Sequence, residues 1–534
     1  MKRIYTMTNP GETSTFVEQK DNATTPMADG AQPALPAQHE NSLRAVTQKI
    51  FSFPVLMGTL LVATVVLCSR LNLPDPDTWW HLAMGKQILA TRTLPRSDSY
   101  SFTAPGAPWI AYEWLGEVAM AMAAKLGALR GIAFFVVACA AAFTALLFAY
   151  ATLVSRNSKA ALIACTLFVP ITPRFFTARP QLIGYAFLIL TLILLERFRQ
   201  GKQRSLWVLP PLFLVWVNTH GSFALGLVVF GVYWACGLTE FEAGGIIARR
   251  WTDWQRRHME IIFLLCVLAL TVSPYGTRQA AYPMQMAFFQ PLNVSHVAEW
   301  QSLTFGSWEA KLLLALVLVF WLANIPLKSS FRLENVVLLL FATYACFVHL
   351  RFVPFLVLTF APLLAELIAR WIPRYEPSKD RHPLNAVLMA LVAAGLVMAF
   401  PSRRTLENVI SQHYPVKAVE YLSHHPYPGR MLNEYNWGGY LIWSGRSHHR
   451  VFIDGRADFY EYAGVFSDYL HIFELKPNAT TLMRRYDIRL CLISRKEPLR
   501  TLLASSPDWR EVYSDKLAVI FVRRPSQSRI SVPE

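Results

Sequence analysis

Long apolar blocks separated by short polar stretches, most of them basic, set the pattern of this chain. The first block runs from Phe51 to about Cys68. The others cover roughly 131–154, 160–176, 180–196, 205–219, 221–238, 259–274, 309–326, 333–349, 352–371 and 384–400. Apolar blocks with so few charges approach the ~20 residues a helix needs to cross hydrocarbon. They predict an α-helical polytopic membrane protein with about eleven transmembrane helices. The stretch from Tyr112 to Leu129 is apolar but short, and it carries Glu113, Glu117 and Lys125. A crossing there would invert every later loop, so it reads as an interfacial or re-entrant helix.

From about residue 401 the apolar runs shorten. Strand-like segments at Tyr440–Trp443, Arg450–Ile453, Leu490–Ile493 and Ala518–Val522 alternate with helical patterns around 415–424 and 478–486. That alternation predicts a small α/β domain over 401–534. Residues 1–48 are rich in Thr, Ala, Pro, Gln and Asn and read as a disordered tail. They lack the succession of regions that makes a cleavable signal peptide, so the first block reads as a signal anchor. Between tail and C-terminal domain, residues 49–400 form the transmembrane domain, with a first outer loop at 70–111. No internal repeat is visible.

Charge fixes the expected orientation. Arg156/Lys159, Arg197/Arg199/Lys202/Arg204, Arg249/Arg250/Arg256/Arg257, Lys328/Arg332 and Arg370/Arg374/Lys379/Arg381 belong on the cytoplasmic side. The tail is then cytoplasmic and the C-terminal domain extracytoplasmic, in a cell (inner or plasma) membrane. The net charge of +16 resides in these loop clusters, which excludes nucleic acid as a partner and leaves the lipid bilayer. Six of the seven cysteines lie in apolar blocks and Cys491 stands apart. No pair has metal-ligand spacing, so neither a disulfide framework nor a zinc site is implied.

The same topology brings unusual polar groups to the outer face. They are Asp75-Pro76-Asp77-Thr78-Trp79-Trp80-His81, the turn from Pro173 to Pro180 with Arg174 and Arg179, Asn218-Thr219-His220-Gly221, and His349-Leu350-Arg351. Carboxylates are costly near hydrocarbon, which points to a task. Guanidinium groups grip phosphate and a carboxylate can serve as general base, so the set fits a phosphate-bearing substrate. Each part also has a plainer reading. The arginines can snorkel at helix ends, an aspartate can cap the next helix, and Trp79 and Trp80 can form an interfacial belt. In the C-terminal domain, Gly438-Gly439 and Asp454-Gly455 read as turns at strand ends. The functional alternative has Tyr435, Trp437, Asp454 and Arg456 facing the membrane to bind an acceptor.

A signal anchor, an acidic Asp75-x-Asp77 outer loop, a multi-helix bundle and an outer α/β domain together resemble the GT-C superfamily. These are integral-membrane glycosyltransferases that use polyprenyl-phosphate-linked sugars. The resemblance covers most of residues 50–534 and points to a bacterial branch other than protein mannosyltransferases or lipid A aminoarabinose transferases. It implies inverting transfer from a polyprenyl-phosphate donor to a glycan, lipid or protein acceptor on the outer face. It further implies Asp75 or Asp77 as base or metal ligand, with Glu113 of Tyr112-Glu113-Trp114 as a second acid. The donor phosphate would lie among Arg174, Arg179, His220 and Arg351, with Trp79, Trp80, His81, Asn218 and His349 lining the site. A divalent cation, Mg or Mn, on Asp75 and Asp77 is the one cofactor the pattern allows, and two carboxylates alone make a poor site. The stretch from Tyr435 to Tyr440 is similar to the Trp-Trp-Asp-Tyr-Gly motif of oligosaccharyltransferases. It has one Trp and no Asp in the equivalent place, so sequon recognition is not carried over.

Three other readings compete. A lipid-linked glycan ligase or polymerase would use the outer Arg and His residues without needing the acidic loop. A transporter or flippase of lipid-linked sugars would show related halves with charges near the midplane, and neither is seen here. A catalytically inactive surface scaffold would share the same architecture.

Overall fold

A computed structural model describes residues 37–445 and 449–525, with side chains from residue 44 onward, and is mostly helical. Most of the expected disordered tail, residues 1–36, lies outside the described residues. Ala37–Ile50 is a helix, not disordered as expected. The stretch has neither Pro nor Gly, and Lys49 in its last turn favours the helix dipole. Residues from Phe51 onward form one compact unit.

Each apolar block falls on a helix. Among the described residues, six helices are long and apolar enough to cross a membrane by length and composition, which marks an integral membrane protein. They include Trp114–Ser155, Gln181–Arg199, Trp308–Leu327, Leu350–Ile368 and His382–Ala399. Phe223–Cys236 and Leu333–Val348 are apolar but shorter. Ser158–Thr166 and Leu209–Val217 have 9 residues each, only ~14 Å of helix. Eleven therefore counts apolar helices, not full-length spans.

Three of the five basic clusters meet through direct contacts. Arg199 pairs with Glu334 at 3.0 Å, donates to the Arg249 carbonyl and stacks on Trp251 at 3.5 Å. Arg332 pairs with Glu196. Both acids are buried, so each has a guanidinium where an unpaired charge would be costly.

The Trp114–Ser155 helix is broken at Ala128, where φ is 49° and ψ −131°. A Cβ on Gly131 would lie 1.9 Å from the Ala123 carbonyl oxygen, whereas residues eight apart in an unbroken helix are ~12 Å apart. The chain therefore reverses sharply at Ala128. The segment ahead of the break packs along the Pro76–Thr91 helix. Gly85 permits that crossing, since a Cβ there would meet the Glu117 carbonyl at 2.1 Å. The far end of the segment lies against the Arg403–His413 helix of the C-terminal region.

The C-terminal region carries a four-stranded sheet in the order Arg430–Asn433, Ile488–Ser494, Ala518–Arg523, Trp509–Ser514. The first pair is parallel and the others antiparallel. Two expected strands are there, at 488–494 and 518–523. Tyr440–Trp443 is instead part of the Tyr435–Ser444 helix. Its buried positions, Trp437, Tyr440 and Leu441, follow a helical period that a short apolar run conceals. Arg450–Ile453 is no strand either, since Val451 makes only an isolated bridge to Ser101. Gly438-Gly439 is not a turn but a close approach. A Cβ on Gly438 would meet the Ile453 carbonyl at 2.0 Å, and one on Gly439 would meet the Pro76 carbonyl at 2.7 Å.

The first outer loop is built into this region. The Phe102 N–H donates to the Val451 carbonyl at 3.1 Å, the Val451 N–H donates to the Tyr100 carbonyl at 3.2 Å, and the Thr103 hydroxyl donates to the Phe452 carbonyl at 2.6 Å. Trp80, Met84, Ile88 and Trp109 share a core with Leu432, Phe452, Tyr460 and Ile493.

Candidate functional site

Asp75 starts the Pro76–Thr91 helix. Its Oδ1 accepts from the Asp77 backbone N–H at 3.0 Å, and Pro76 at the first helical position lacks an N–H that would need a partner. Capping thus occupies Asp75 and leaves Asp77, in the first turn, with its side chain facing a cavity. That cavity lies where the first loop, the outer ends of the bundle and the C-terminal region meet. It has a volume of about 70 Å³, room for roughly two waters.

Four acids line it: Asp77, Glu113, Glu299 and Asp458. Two guanidinium groups, Arg179 and Arg351, and two imidazoles, His81 and His220, face them. Arg179 is the hub. Its Nε donates to Asp75 Oδ1 at 2.7 Å, and its Nη1 lies 2.9 Å from Asp77 Oδ2 and 3.0 Å from Glu299 Oε2. Arg351 stands 3.7 Å from Glu299 Oε1 and stacks over the Trp300 ring at 4.0 Å. The His349 ring nitrogen lies 2.6 Å from the Trp300 carbonyl, and its ring stands edge-on to the indole at 5.3 Å.

Asp77 shares Arg179 with two other carboxylates. Burial pushes its carboxyl up to about 7, with Arg179 opposing and Asp75 and Glu299 adding to the rise. The Trp80 indole N–H donates to Asp77 Oδ1 at 3.1 Å and fixes its rotamer. Glu299 goes the other way: burial raises it, but Arg179 and Arg351 outweigh that and hold it below its ordinary value. Burial lifts Asp458 to about 6.

A second chain of groups runs along the cavity wall and back to Glu117. His81 Nδ1 is 3.0 Å from Glu117 Oε1, and its Nε2 is 3.4 Å from Glu113 Oε2. His220 Nε2 is 3.3 Å from Glu113 Oε1. His220 Nδ1 accepts from the Ser222 backbone N–H at 3.0 Å, which puts the ring proton on Nε2, toward Glu113. Burial, with Arg351 adding to it, lowers His220 to about 3. Burial likewise lowers His81, and burial with Asp77 raises Glu113. Burial thus disfavours the charged form of each of these three groups.

Eight of the expected site residues line the cavity: Asp77, Trp80, His81, Glu113, Arg179, His220, Arg351 and Tyr435. Tyr435 donates from its hydroxyl to the Gly455 carbonyl at 3.1 Å. The others lie elsewhere. Arg174 is half exposed and paired with Glu309 at 2.9 Å. Asn218 accepts from the Trp114 indole at 2.9 Å and ties two loops together. Trp79 is no interfacial anchor but is fully buried against Tyr414, Tyr440 and Trp443. Trp437 donates to the His413 carbonyl at 3.2 Å.

Asp454 and Arg456, expected to face the membrane, are also buried. Arg456 donates to both Asp454 oxygens at 2.8 and 2.7 Å and lies 2.8 Å from Asp98 Oδ1. This pair clamps the first loop onto the C-terminal region. Its neighbour Gly455 bears directly on the site, because a Cβ there would sit 1.9 Å from Asp77 Oδ1.

Glu299 and Asp458 were missed in the sequence, although each carried a signal. Glu299 precedes Trp300 in an outer loop, as Glu113 precedes Trp114. Asp458 ends the Asp454–Asp458 stretch whose other charged members turn inward. Among the described residues no group of three or more His, Cys, Asp or Glu side chains is arranged to hold a metal ion. Asp75 and Asp77 turn their oxygens to Arg179, so this donor set does not fit a divalent cation.

The sequence matches no family profile and no curated protein. Among solved structures, the fold is similar to archaeal oligosaccharyltransferase AglB from Archaeoglobus fulgidus in complex with an inhibitory peptide and a dolichol-phosphate. That likeness has a TM-score of 0.47 and 11% identity over 82% of this chain and 69% of that one. It is also similar to ArnT from Cupriavidus metallidurans bound to undecaprenyl phosphate, with a TM-score of 0.46 and 12% identity over 92% and 99%. At such identities the likeness concerns the course of the chain and carries no chemistry with it.

Proposed function

We propose that this chain is an integral-membrane glycosyltransferase that moves a sugar from a polyprenyl-phosphate donor to an acceptor on the outer face. One observation carries the reading: a buried cavity sets the Asp77 carboxylate beside two guanidinium groups, Arg179 and Arg351. A base for an acceptor hydroxyl and cations for a leaving phosphate are the two things this transfer requires.

Asp77 takes the proton of the acceptor hydroxyl. The acceptor oxygen attacks the sugar C1 from the face opposite the phosphate, and the bond from C1 to the phosphate oxygen breaks. The products are the glycosylated acceptor with inverted configuration, polyprenyl phosphate, and protonated Asp77. Negative charge grows on the departing phosphate, where Arg179 and Arg351 stabilise it. Arg179 supplies the positive charge at the two aspartates, so no step is routed through a metal.

With about 70 Å³ free, the cavity is too small for a sugar phosphate. Glu299 spans Arg179 and Arg351 and holds the place of the donor phosphate. Donor binding exchanges one anion for another on the same two cations. The test is binding of a short-chain polyprenyl phosphate to the purified protein in nanodiscs. R351M is expected to weaken it roughly tenfold or more, the scale for losing a buried charge partner. Equal affinity in wild type and R351M would contradict the assignment of the phosphate site.

A further inference from the structure

The Pro76–Thr91 helix has two working faces. Asp77, Trp80 and His81 line the charged cavity, while Leu82, Lys86 and Leu89 line a separate groove. At ~100° per residue these two sets point in roughly opposite directions. The groove has a volume of about 1010 Å³, at the top of the ~300–1,000 Å³ range of ligand pockets. Its apolar wall comes from Ala124 and Ile132 beyond the first loop and from Ile410 and Trp443 of the C-terminal region.

The rim is cationic. Lys86 and Lys125 are exposed, and among the described residues neither has a carboxylate partner. Arg403 stands on the opposite rim, 2.7 Å from its own Glu407. Beside the mouth, the groove merges into an exposed apolar surface: Leu126 is 85% exposed and Met122 42%. In an integral membrane protein such a surface meets hydrocarbon. An apolar floor, unpaired lysines at the rim and an opening toward lipid together define the occupant by its chemistry. It has an acyl chain and an anionic headgroup.

We propose that this groove binds one anionic phospholipid of the outer leaflet, with its phosphodiester among Lys86, Lys125 and Arg403. The bound lipid fills the gap between the first-loop helix and the Arg403–His413 helix, and so seats the C-terminal region on the bilayer. It is not the donor of the transfer reaction. A phosphate at Lys86 is separated from Arg179 by the full width of the Pro76–Thr91 helix. The proposal is independent of the catalytic reading and survives its failure.

Native mass spectrometry of the full-length protein from nanodiscs tests it. Nanodiscs of mixed phosphatidylglycerol and phosphatidylcholine are expected to yield protein carrying one phosphatidylglycerol. K86E/K125E should lower that occupancy roughly tenfold or more, since each cation near an anionic headgroup is worth about a fivefold factor. A124W, which fills the groove without touching the rim charges, should lower it as well, with the size-exclusion profile showing both variants folded. D77N should retain the lipid as wild type does. Equal retention of the two phospholipids, or unchanged phosphatidylglycerol in K86E/K125E, would overturn the proposal. So would displacement of the lipid by an equimolar short-chain polyprenyl phosphate, which would give the groove to the carrier instead.

Discussion

Gly455 and Asp77 come from distant parts of the chain and touch in the fold, and the lack of a side chain at 455 decides where the carboxylate sits. A Cβ there would overlap Asp77 Oδ1 at 1.9 Å and crowd the Trp80 indole nitrogen at 2.9 Å. G455A must therefore displace the Asp77 carboxylate by about an ångström, which, with Asp77 as the proposed base, is expected to cost roughly 10² in transfer rate. The check is the rate in G455A alongside an unchanged thermal midpoint. The protonation of Asp77 supplies a second expectation. Its carboxyl is raised to about 7, and the proposed base must be ionised to take a proton. Transfer should rise about tenfold per unit below pH 7 and level off above it. A profile flat between about pH 6 and 8 would mean that another group takes the proton.

At this scale the sequence was readable wherever a charge stood out from its surroundings. Asp77, Arg179, His220 and Arg351 lie in short polar turns between apolar blocks, and such groups near hydrocarbon need a reason. Asp454 and Arg456 misled because a charged pair in a loop looks exposed. Their third partner, Asp98, lies in the first loop, where sequence spacing does not reveal it. Glu299 and Asp458 stand beside readable neighbours, Trp300 and the Asp454–Arg456 pair, but nothing local shows that they reach the same cavity.

Among the elements, the Pro76–Thr91 helix depends on the C-terminal region for its position. Gly439 meets its first turn, Trp79 inserts among Tyr414, Tyr440 and Trp443, and the Arg456 clamp anchors the loop that follows it. R456M leaves two buried carboxylates, Asp98 and Asp454, without their cation. It is expected to destabilise the outer region by about 3–5 kcal/mol. The readout is a lower thermal midpoint and earlier proteolysis within residues 401–525. Replacing all three, as D98N/D454N/R456M, should recover much of that loss, because neutral groups carry no unpaired charge. An unaltered midpoint in R456M would remove the clamp. Long apolar helices were legible from their blocks. The Tyr435–Ser444 helix was not, since a run as short as Tyr440–Trp443 fits either period. The break at Ala128 was legible as a boundary, because the stretch 112–129 with Glu113, Glu117 and Lys125 reads apart from the block at 131–154, although alanine itself carries no sign of a positive φ.

On the scale of the whole molecule, the first outer loop and the C-terminal region share one core, and the cavity sits where both meet the bundle. That arrangement explains why the Asp77 carboxylate from the first loop, Arg179 and Arg351 from two helix connections and Gly455 from the C-terminal region converge. The convergence of the polar turns on one cavity agrees with the expectation, drawn from the lysine and arginine clusters, that they share one side. The small volume of the cavity was not legible, since Glu299 reaches both arginines through long-range contacts.

The most direct test is single-turnover transfer from a short-chain polyprenyl-phosphate sugar, comparing wild type with D77N in the same nanodiscs. Loss of a general base predicts a rate lower by about 10²–10⁴ in D77N, with donor affinity and thermal midpoint close to wild type. Transfer at the wild-type rate in folded, donor-binding D77N would contradict the account.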